Sequence, residues 1–595
     1  VKSLLASTAI ALLALASPIS GPMRFQLGAG AVLAQSPITL QNLAFKGDKA
    51  SVSIPSIIID GSSLSRAELE ALFDPKAVAT LAGRLSQFSA RSVTIPAIEI
   101  TQTLPEGASV SVYRNTVLRD IRNGFVAEAV TDSATNSAKP RQGAKDIPGV
   151  EMAMGNIITK GVDMPLWFRF AFDRAQPGET LKLAIAEQTA GRTTYRIGDF
   201  ATIEIAEISA RDIKLRPLKT PPVELLALAE RQADDKTTPD AKMGMAIAAD
   251  MLGAMSFGDM QVKGLTGTVR QTGKPQARFS LDRLAMAGGA DVAGRFQMLG
   301  LKVENGKDRF NIGEIGLEGV SLAAMMAGFG RLAASTDAAA EPDPSTMIPK
   351  IDAIRLAGVD FDVPDVKDPQ QRIRARLGLF ETKMSNHVGA IPADVAIAID
   401  RLQMDIPADT REKGLQDIVA LGYKALDLTA RYSQSWSEPE KTLRVNELSV
   451  RSAGMFAAQA KAEIVNVPRE LFTLDKAVAS VAALGVAARS VQISLVNESL
   501  FEKLIAKQAR ESRRKVEDVR AELAAGATIM APILLGDHPA AKAIGAALGQ
   551  FVADPRNLKF GITAKGEGLG ATDFIAVANP MDLLKKLDIT AAANQ

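Results

Sequence analysis

The chain has 595 residues, 47% apolar and 23% charged, which is ordinary globular usage and excludes wholesale disorder. Its 69 Lys+Arg against 67 Asp+Glu leave no basic footprint for a nucleic acid. No Cys and only two His exclude thiolate metal sites, cysteine nucleophiles, disulfide frameworks and His-rich centres.

Residues 1–34 read as an export signal. Lys2 gives a positive start, Leu4 to Ala16 is apolar, and a second apolar stretch ends in Val32-Leu33-Ala34 before Gln35-Ser36-Pro37. Small residues at the last and third-last positions suit a signal peptidase, both there and at Ala14-Leu15-Ala16. The initial Val reads as an alternative bacterial start. An uncleaved anchor is the competing reading, but 13 apolar residues fall short of the ~20 that span a bilayer. Losing Lys2 and Arg24 with no acid takes the net charge from +2 to zero, so no polybasic patch holds the mature chain to lipid. The longest later apolar run, Leu523 to Leu535, is broken by Pro532, so no transmembrane helix is expected in the mature chain. The expected location is the periplasm of a Gram-negative cell.

Strands are expected at 38–59, turning at Gly47-Asp48. Ser65 and Glu68 make a capping box with a Leu64–Leu69 staple. Asp74-Pro75 caps a second helix with Val78, Leu81, Leu85 and Phe88 on one face. Strands return at 93–100 and at 109–130, turning at Asn123-Gly124. Residues 131–150, polar throughout, read as a loop. Strands are expected at 164–187 and 193–215, with Phe168, Phe170 and Phe172 on one strand face and Trp167 and Arg169 on the other, Trp167 being a candidate exposed contact. A helical hairpin follows at about 222–256, its second arm rich in Met243, Met245, Met251 and Met255.

Residues 257–320 read as strands and hold a weak internal repeat. Gly258-Asp-Met-Gln-Val-Lys-Gly-Leu265, Gly313-Glu-Ile-Gly-Leu-Glu-Gly-Val320 and Asp352-Ala-Ile-Arg-Leu-Ala-Gly-Val359 share a frame, but their unequal spacing is no solenoid period. Residues 335–347 read as a linker. The clearest β-meander then runs through Ile373–Leu379, Val395–Ile399, Leu426–Tyr432, Leu443–Val450 and Ala458–Ile464, one face apolar and one polar. From 468 the pattern is mainly helical, at 468–484, 498–510, 512–531 and 538–553. Strands at 490–496 and 557–564 lie between, and a last short helix starts after Pro580.

Chemistry-bearing patterns are sparse. Asp360, Asp362, Asp365 and Asp368 could gather on Ca²⁺, although the EF-hand Gly and Glu are missing and strand-to-turn acids usually cap backbone. His387 reads as a turn residue and His538, beside Asp537, as a cap. No nucleophile elbow, P-loop or His-Glu-x-x-His occurs, and Gly566-Glu-Gly-Leu-Gly570 reads as a turn. Arg510 to Glu522 reads as a salt-bridged solvent face. The sequence therefore assigns no catalytic, cofactor-binding or metal residues. The Met- and Ala-rich helices at 240–256, 322–334 and 523–551 are either ordinary core or the walls of an apolar groove.

The N-terminal segment, the Cys-free composition and the strand units Gly313–Val320 and Leu426–Ile464 together resemble the AsmA-like envelope proteins of Gram-negative bacteria. The resemblance implies lipid transport or outer-membrane homeostasis along long β-sheet grooves; helical insertions and a helical C-terminal third depart from it.

The expected fold is α+β: antiparallel β-meanders, elongated or layered, interrupted by amphipathic helical hairpins, with a helical C-terminal third. The expected segments are a signal peptide at 1–34, a β-rich domain with a helical insertion at 35–220, a hairpin plus meander at 221–334, a meander at 348–467 and a helical domain at 468–595. The expected function is non-enzymatic binding or shielding of lipid or another apolar envelope component in a sheet groove. A ligand-free periplasmic scaffold for an envelope protein and a hydrolase with an unrecognised site are the alternatives.

Overall fold

The computed structural model describes residues 36–46, 50–73, 80–104, 107–140, 148–225, 228, 241–270, 273, 275–290, 292–335, 346–365, 370–536, 538–576 and 581–595. The expected leader, Asp74-Pro75, Val78, Asp368, Asp537, the turn at Gly47-Asp48 and most of the 335–347 linker lie outside these residues. The chain forms two compact units, Val1–Lys307 with Leu317–Pro349, and Asp308–Gly316 with Lys350–Gln595. Every described strand pair with a printed register is antiparallel.

The first unit begins with β1 (Ile38–Lys46), β2 (Ala50–Asp60), α1 (Arg66–Leu72), α2 (Leu81–Leu85), β3 (Ala90–Leu104), β4 (Gly107–Arg122) and β5 (Phe125–Pro140). Then come β6 (Val150–Met154), β7 (Ile157–Asp163), α3 (Met164–Phe172), β8 (Lys182–Ala190), β9 (Thr193–Ile197), β10 (Ala201–Ile205) and β11 (Glu207–Leu215). Last are α4 (Ala241–Gly253), β12 (Met255–Val269), β13 (Ala277–Gly289) and β14 (Gly294–Asn305), with α5 (Ala323–Ala334) further along. β1 to β5 form a meander. β5 then pairs with β7 along 125–131 and with β6 along 134–138. One row continues through β8 and β11, the other through β9 and β10, and both rejoin on the long β12. The capping box forms as expected: Ser65 accepts from the Glu68 N–H, and Glu68 accepts from the Ser65 N–H at 2.8 Å. α1 brings the buried Leu69 onto Ile54, Ile98 and Ile121 of the sheet.

Two expectations fail in this unit. Residues 131–140 are strand, not loop, because their polar side chains satisfy one another across β4: Thr131 Oγ1 lies 2.9 Å from Thr116 Oγ1, and Asn136 donates to Ser109 and Ser111. Residues 164–172 are helix, not strand. Asp163 accepts from the Leu166 N–H at 2.9 Å and Pro165 sits in the first turn, a favoured helix start. The aromatics therefore pair at helical spacing, Phe168 stacked on Phe172 and Trp167 edge-on to Phe170, both at 6.1 Å. Trp167 is half-buried against the core rather than an exposed contact.

Asp250 of α4 is buried and accepts from Arg216 Nη2 at 2.8 Å and from the Lys219 N–H at 2.6 Å. Asp250→Ala strands a desolvated guanidinium, so a loss of about 3–5 kcal/mol is expected in a urea unfolding titration.

The second unit takes residues 308–316 from β15 (Asp308–Val320), then β16 (Ala353–Pro364), β17 (Arg372–Val388), β18 (Ile391–Asp405), α6 (Lys413–Ala420), β19 (Ala425–Ser437), β20 (Thr442–Ser452) and β21 (Phe456–Val465). α7 (Lys476–Ala483), β22 (Ala487–Asn497), α8 (Leu500–Ser512), α9 (Val516–Leu535), α10 (Ala541–Ala553), β23 (Asn557–Ala564), β24 (Leu569–Gly570), α11 (Ala571–Ala576), α12 (Met581–Leu584) and β25 (Leu587–Ala593) follow. From β16 to β23 each strand pairs with the next, and β25 closes the row on β23. In the last third the expected helix at 468–484 shrinks to one 3₁₀ turn and α7, the short helix expected after Pro580 forms as α12, and a further strand, β25, follows it.

The sequence repeat has a structural meaning. Gly264, Gly319 and Gly358, each seventh in its unit, all take a left-handed φ, at 60°, 65° and 63°. Only a residue without Cβ adopts this readily. Gly300 of β14, outside the repeat as read from sequence, does the same at 68°.

Candidate functional site

Register decides which side chains share a face, because alternate residues of a strand point oppositely. In the second unit the pairing Leu356–Phe380–Ile399–Ala430–Val450–Ala458–Leu495 makes one apolar row across β16 to β22. The row two residues away runs Ile354–Thr382–Ile397–Tyr432–Leu448–Ala460–Ile493. On the far side, Val359, Leu377, Leu402 and Leu428 form a third.

A regular strand would not allow this. Between Leu356 and Val359, Phe380 and Leu377, and Ile399 and Leu402, the spacing is three, not two. β19 keeps strict alternation at Leu428 and Ala430, and the extra residue shows as a register shift between β18 and β19. The left-handed Gly358 and Arg401 absorb it. Gly378 completes the strip: a Cβ there would stand 2.9 Å from the Asp400 carbonyl. The bulges hold the apolar residues on one face along the whole strand length.

The opposite face is charged. Arg355 Nε meets Glu314 at 2.8 Å and its Nη1 meets Glu381 at 3.0 Å; Arg431 pairs with Asp400. Asp362 accepts from Arg372 at 2.5 Å and Arg374 at 3.2 Å, and Asp360 faces Arg376 at 3.7 Å. Each exposed pair contributes only ~0–1 kcal/mol. Their effect is to keep this face wetted and leave the aliphatic one as the sheet's only apolar side. Asp360 and Asp362 are therefore engaged by arginines instead of gathering on a cation. No cluster of three or more metal-ligating acids or histidines occurs among the described residues.

The Arg372 hydrogen bond holds the Asp362 carboxyl below its ordinary range, and Lys383 with Arg355 does the same for Glu381. Folded carboxylates with lowered pKa bind fewer protons than the unfolded chain. Their contribution is complete above about pH 4–5 and is lost as pH falls through the lower folded values. The urea midpoint of the protein should fall between pH 6 and pH 3, and less steeply in Arg372→Gln.

Among the described residues of this unit, helices pack on the apolar face at its β22–β25 end. Ala547 and Phe551 of α10, with Phe501 of α8, pack on Leu495, Leu558, Phe560, Ala591 and Ala593. Towards β16 the rows are half-buried or open, Leu448 being 47% and Ile493 43% exposed. Strand spacing of ~4.8 Å and residue-pair spacing of ~6.7 Å make the uncovered part from β16 to β22 roughly 29 Å long. With its three rows it is roughly 13 Å wide. A trough of about 480 Å³ crosses β21, β22, β23 and β25, lined by Ala460, Ile493, Phe560 and Ala591 together with the polar Gln459, Lys461 and others.

The first unit has an apolar cavity of about 100 Å³ between its sheet and α1–α3, lined by Ile57, Leu69, Leu85, Phe88, Met164 and Phe168 among others. It is too small for a lipid and is ordinary core.

The histidines take structural places. His387 is half-buried at the end of β17, one residue before the turn, where desolvation pushes its pKa down. His538 Nδ1 accepts from the Ala540 N–H ahead of α10, and its Nε2 lies 3.1 Å from the Leu587 carbonyl. Gly566 and Gly568 have positive φ in the turn after β23. Arg510–Glu522 is not one helix face: Arg513 breaks it in a left-handed cap, and Arg514 pairs with Glu522 at 2.5 Å. No helix among the described residues is long and apolar enough to cross a membrane.

A family model described only as "Uncharacterized protein" matches residues 449–594, the stretch from within β20 to just past β25, with α7 to α12 between. No curated protein matches the chain.

Proposed function

We propose that this is an exported, non-enzymatic protein of the bacterial envelope that carries or shields lipid on the apolar face of its second unit. One observation supports the reading above the others: aliphatic rows continue across seven strands with a charged opposite face, and bulges keep the rows aligned where alternation alone would break them. Monomers rarely leave contiguous apolar patches beyond ~300–600 Å² uncovered. A face roughly 29 Å long accommodates an acyl chain as long as one leaflet's share of the ~30 Å hydrocarbon core. A lipid laid there needs no charged partner inside the site, since its headgroup remains at the sheet margin in water. Mass spectrometry of organic extracts from the periplasmically purified protein tests this. Phospholipid or a comparable amphiphile above a control protein is expected; none above control removes lipid from the reading and leaves a scaffold.

A further inference from the structure

We propose that the α9–α10 hairpin is a membrane-docking element whose α9 lies in the plane of an anionic bilayer surface. This goes beyond the sheet reading and does not rest on it.

From Leu523 to Gly536 the chain carries no charge, a stretch of about 20 Å as helix. Leu523, Ile529, Met530, Ile533 and Leu534 are all exposed, the last two by 65% and 66%. At 100° per residue they fall on one arc of α9. The other arc, carrying Ala524 and Thr528, meets α10 at Gly545 and Gly549, where an added Cβ on Gly545 would stand 2.7 Å from the Thr528 carbonyl.

That close approach matters for what the outer arc presents. Pro532 has no N–H, so Thr528 loses the donor four residues on. The carbonyl is turned to the α10 backbone instead, and the Thr528 hydroxyl donates to the Ala524 carbonyl at 2.9 Å. The exposed Thr528 thus stands on the α10 side, and from Leu523 on the outer arc is hydrocarbon. Small residues that let helix backbones meet are also how helices pair in lipid.

The stripe is too short to span a bilayer and suits a helix lying within its interface, apolar side down. Arg513 and Lys515, exposed and without an ion pair among the described residues, stand just ahead of α9; with Arg510, Arg514 and Arg520 they outnumber Glu511, Glu517, Asp518 and Glu522 by one and leave the two unpaired cations for anionic headgroups. A second copy of the chain fits less well. One helix face of this length offers about 200 Å², and a stable dimer needs roughly 800 Å² per partner.

The test uses the full chain and vesicles of phosphatidylcholine with or without phosphatidylglycerol. Wild-type protein should co-sediment with the anionic vesicles, and Met530→Trp should shift its emission to the blue on binding. Ile533→Glu with Leu534→Glu should lower vesicle affinity at least about tenfold, and Arg513→Gln with Lys515→Gln should weaken binding to anionic vesicles alone, both with unchanged circular dichroism and melting. No sedimentation of wild type, equal binding by the Glu variant, or a solution dimer that the Glu variant splits would each overturn the proposal. A variant altered only on the sheet face, Leu448→Lys, should still dock, so failure here is distinguishable from failure of the cargo reading.

Discussion

Leu448→Lys combined with Ile493→Lys should leave the protein folded and strip it of co-purifying lipid. The two residues stand in one cross-strand row, joined through Ala460, on the exposed part of the aliphatic face that borders its covered end. Both are already exposed, and surface substitutions away from special features usually change stability by within about 0.5 kcal/mol. A bound acyl chain would have to desolvate two ammonium groups or abandon the row. Lipid recovered by organic extraction should drop at least about tenfold relative to wild type. Lys461→Ala, on the polar side of the same strand, should leave it unchanged. Wild-type lipid content in the double-Lys protein would refute the assignment of this face.

The largest effect on the stability of the second unit should come from Trp436→Ala. Trp436 is buried among Val388, Ala393 and Val467, its Nε1–H donates to the Val467 carbonyl at 3.0 Å, and Phe472 lies 4.6 Å from its ring. Truncation removes a large apolar group, leaves a cavity and orphans a buried carbonyl. A loss of about 3–5 kcal/mol is expected in urea unfolding. Trp436→Phe should recover part of the packing but not the hydrogen bond. An unchanged urea midpoint for Trp436→Ala would show that this cluster does not hold the second unit together.

Much of the fold could be read from local pattern. The capping box at Ser65 and Glu68, the Asn123-Gly124 turn and the alternation of Val395 to Ile399 each depend on residues close in sequence, and each forms. What could not be read depends on partners remote in sequence. Thr131 to Pro140 look like a loop until Ser109, Ser111 and Thr116 stand opposite them. Met164 to Phe172 alternate like a strand and are rich in β-favouring aromatics, yet Asp163 and Pro165 together form a helix start that outweighs both signals. The final strand, Leu587–Ala593, was hidden because Pro580 and the apolar run after it resemble one more helix. The candidate face was half legible. Its apolar rows were visible strand by strand, but their alignment needed the register, and the three-residue steps at Gly358 and Arg401 break the period that a sequence scan follows. The repeated seventh glycine was the one local sign of those steps.

The bulge strip also changes what length variation means in these strands. β16, β17 and β18 each carry a change of phase, so their side chains obey one parity before it and the opposite parity after it. Loss of a single residue at Gly358 would leave an ordinary two-residue step from Leu356 to Val359 and conserve the sidedness, whereas loss of two would swing Asp360 and Asp362 to the greasy side. Homologous chains that keep an oily surface here should therefore either retain the left-handed residue or lack that one residue alone, as β19 does beside β18.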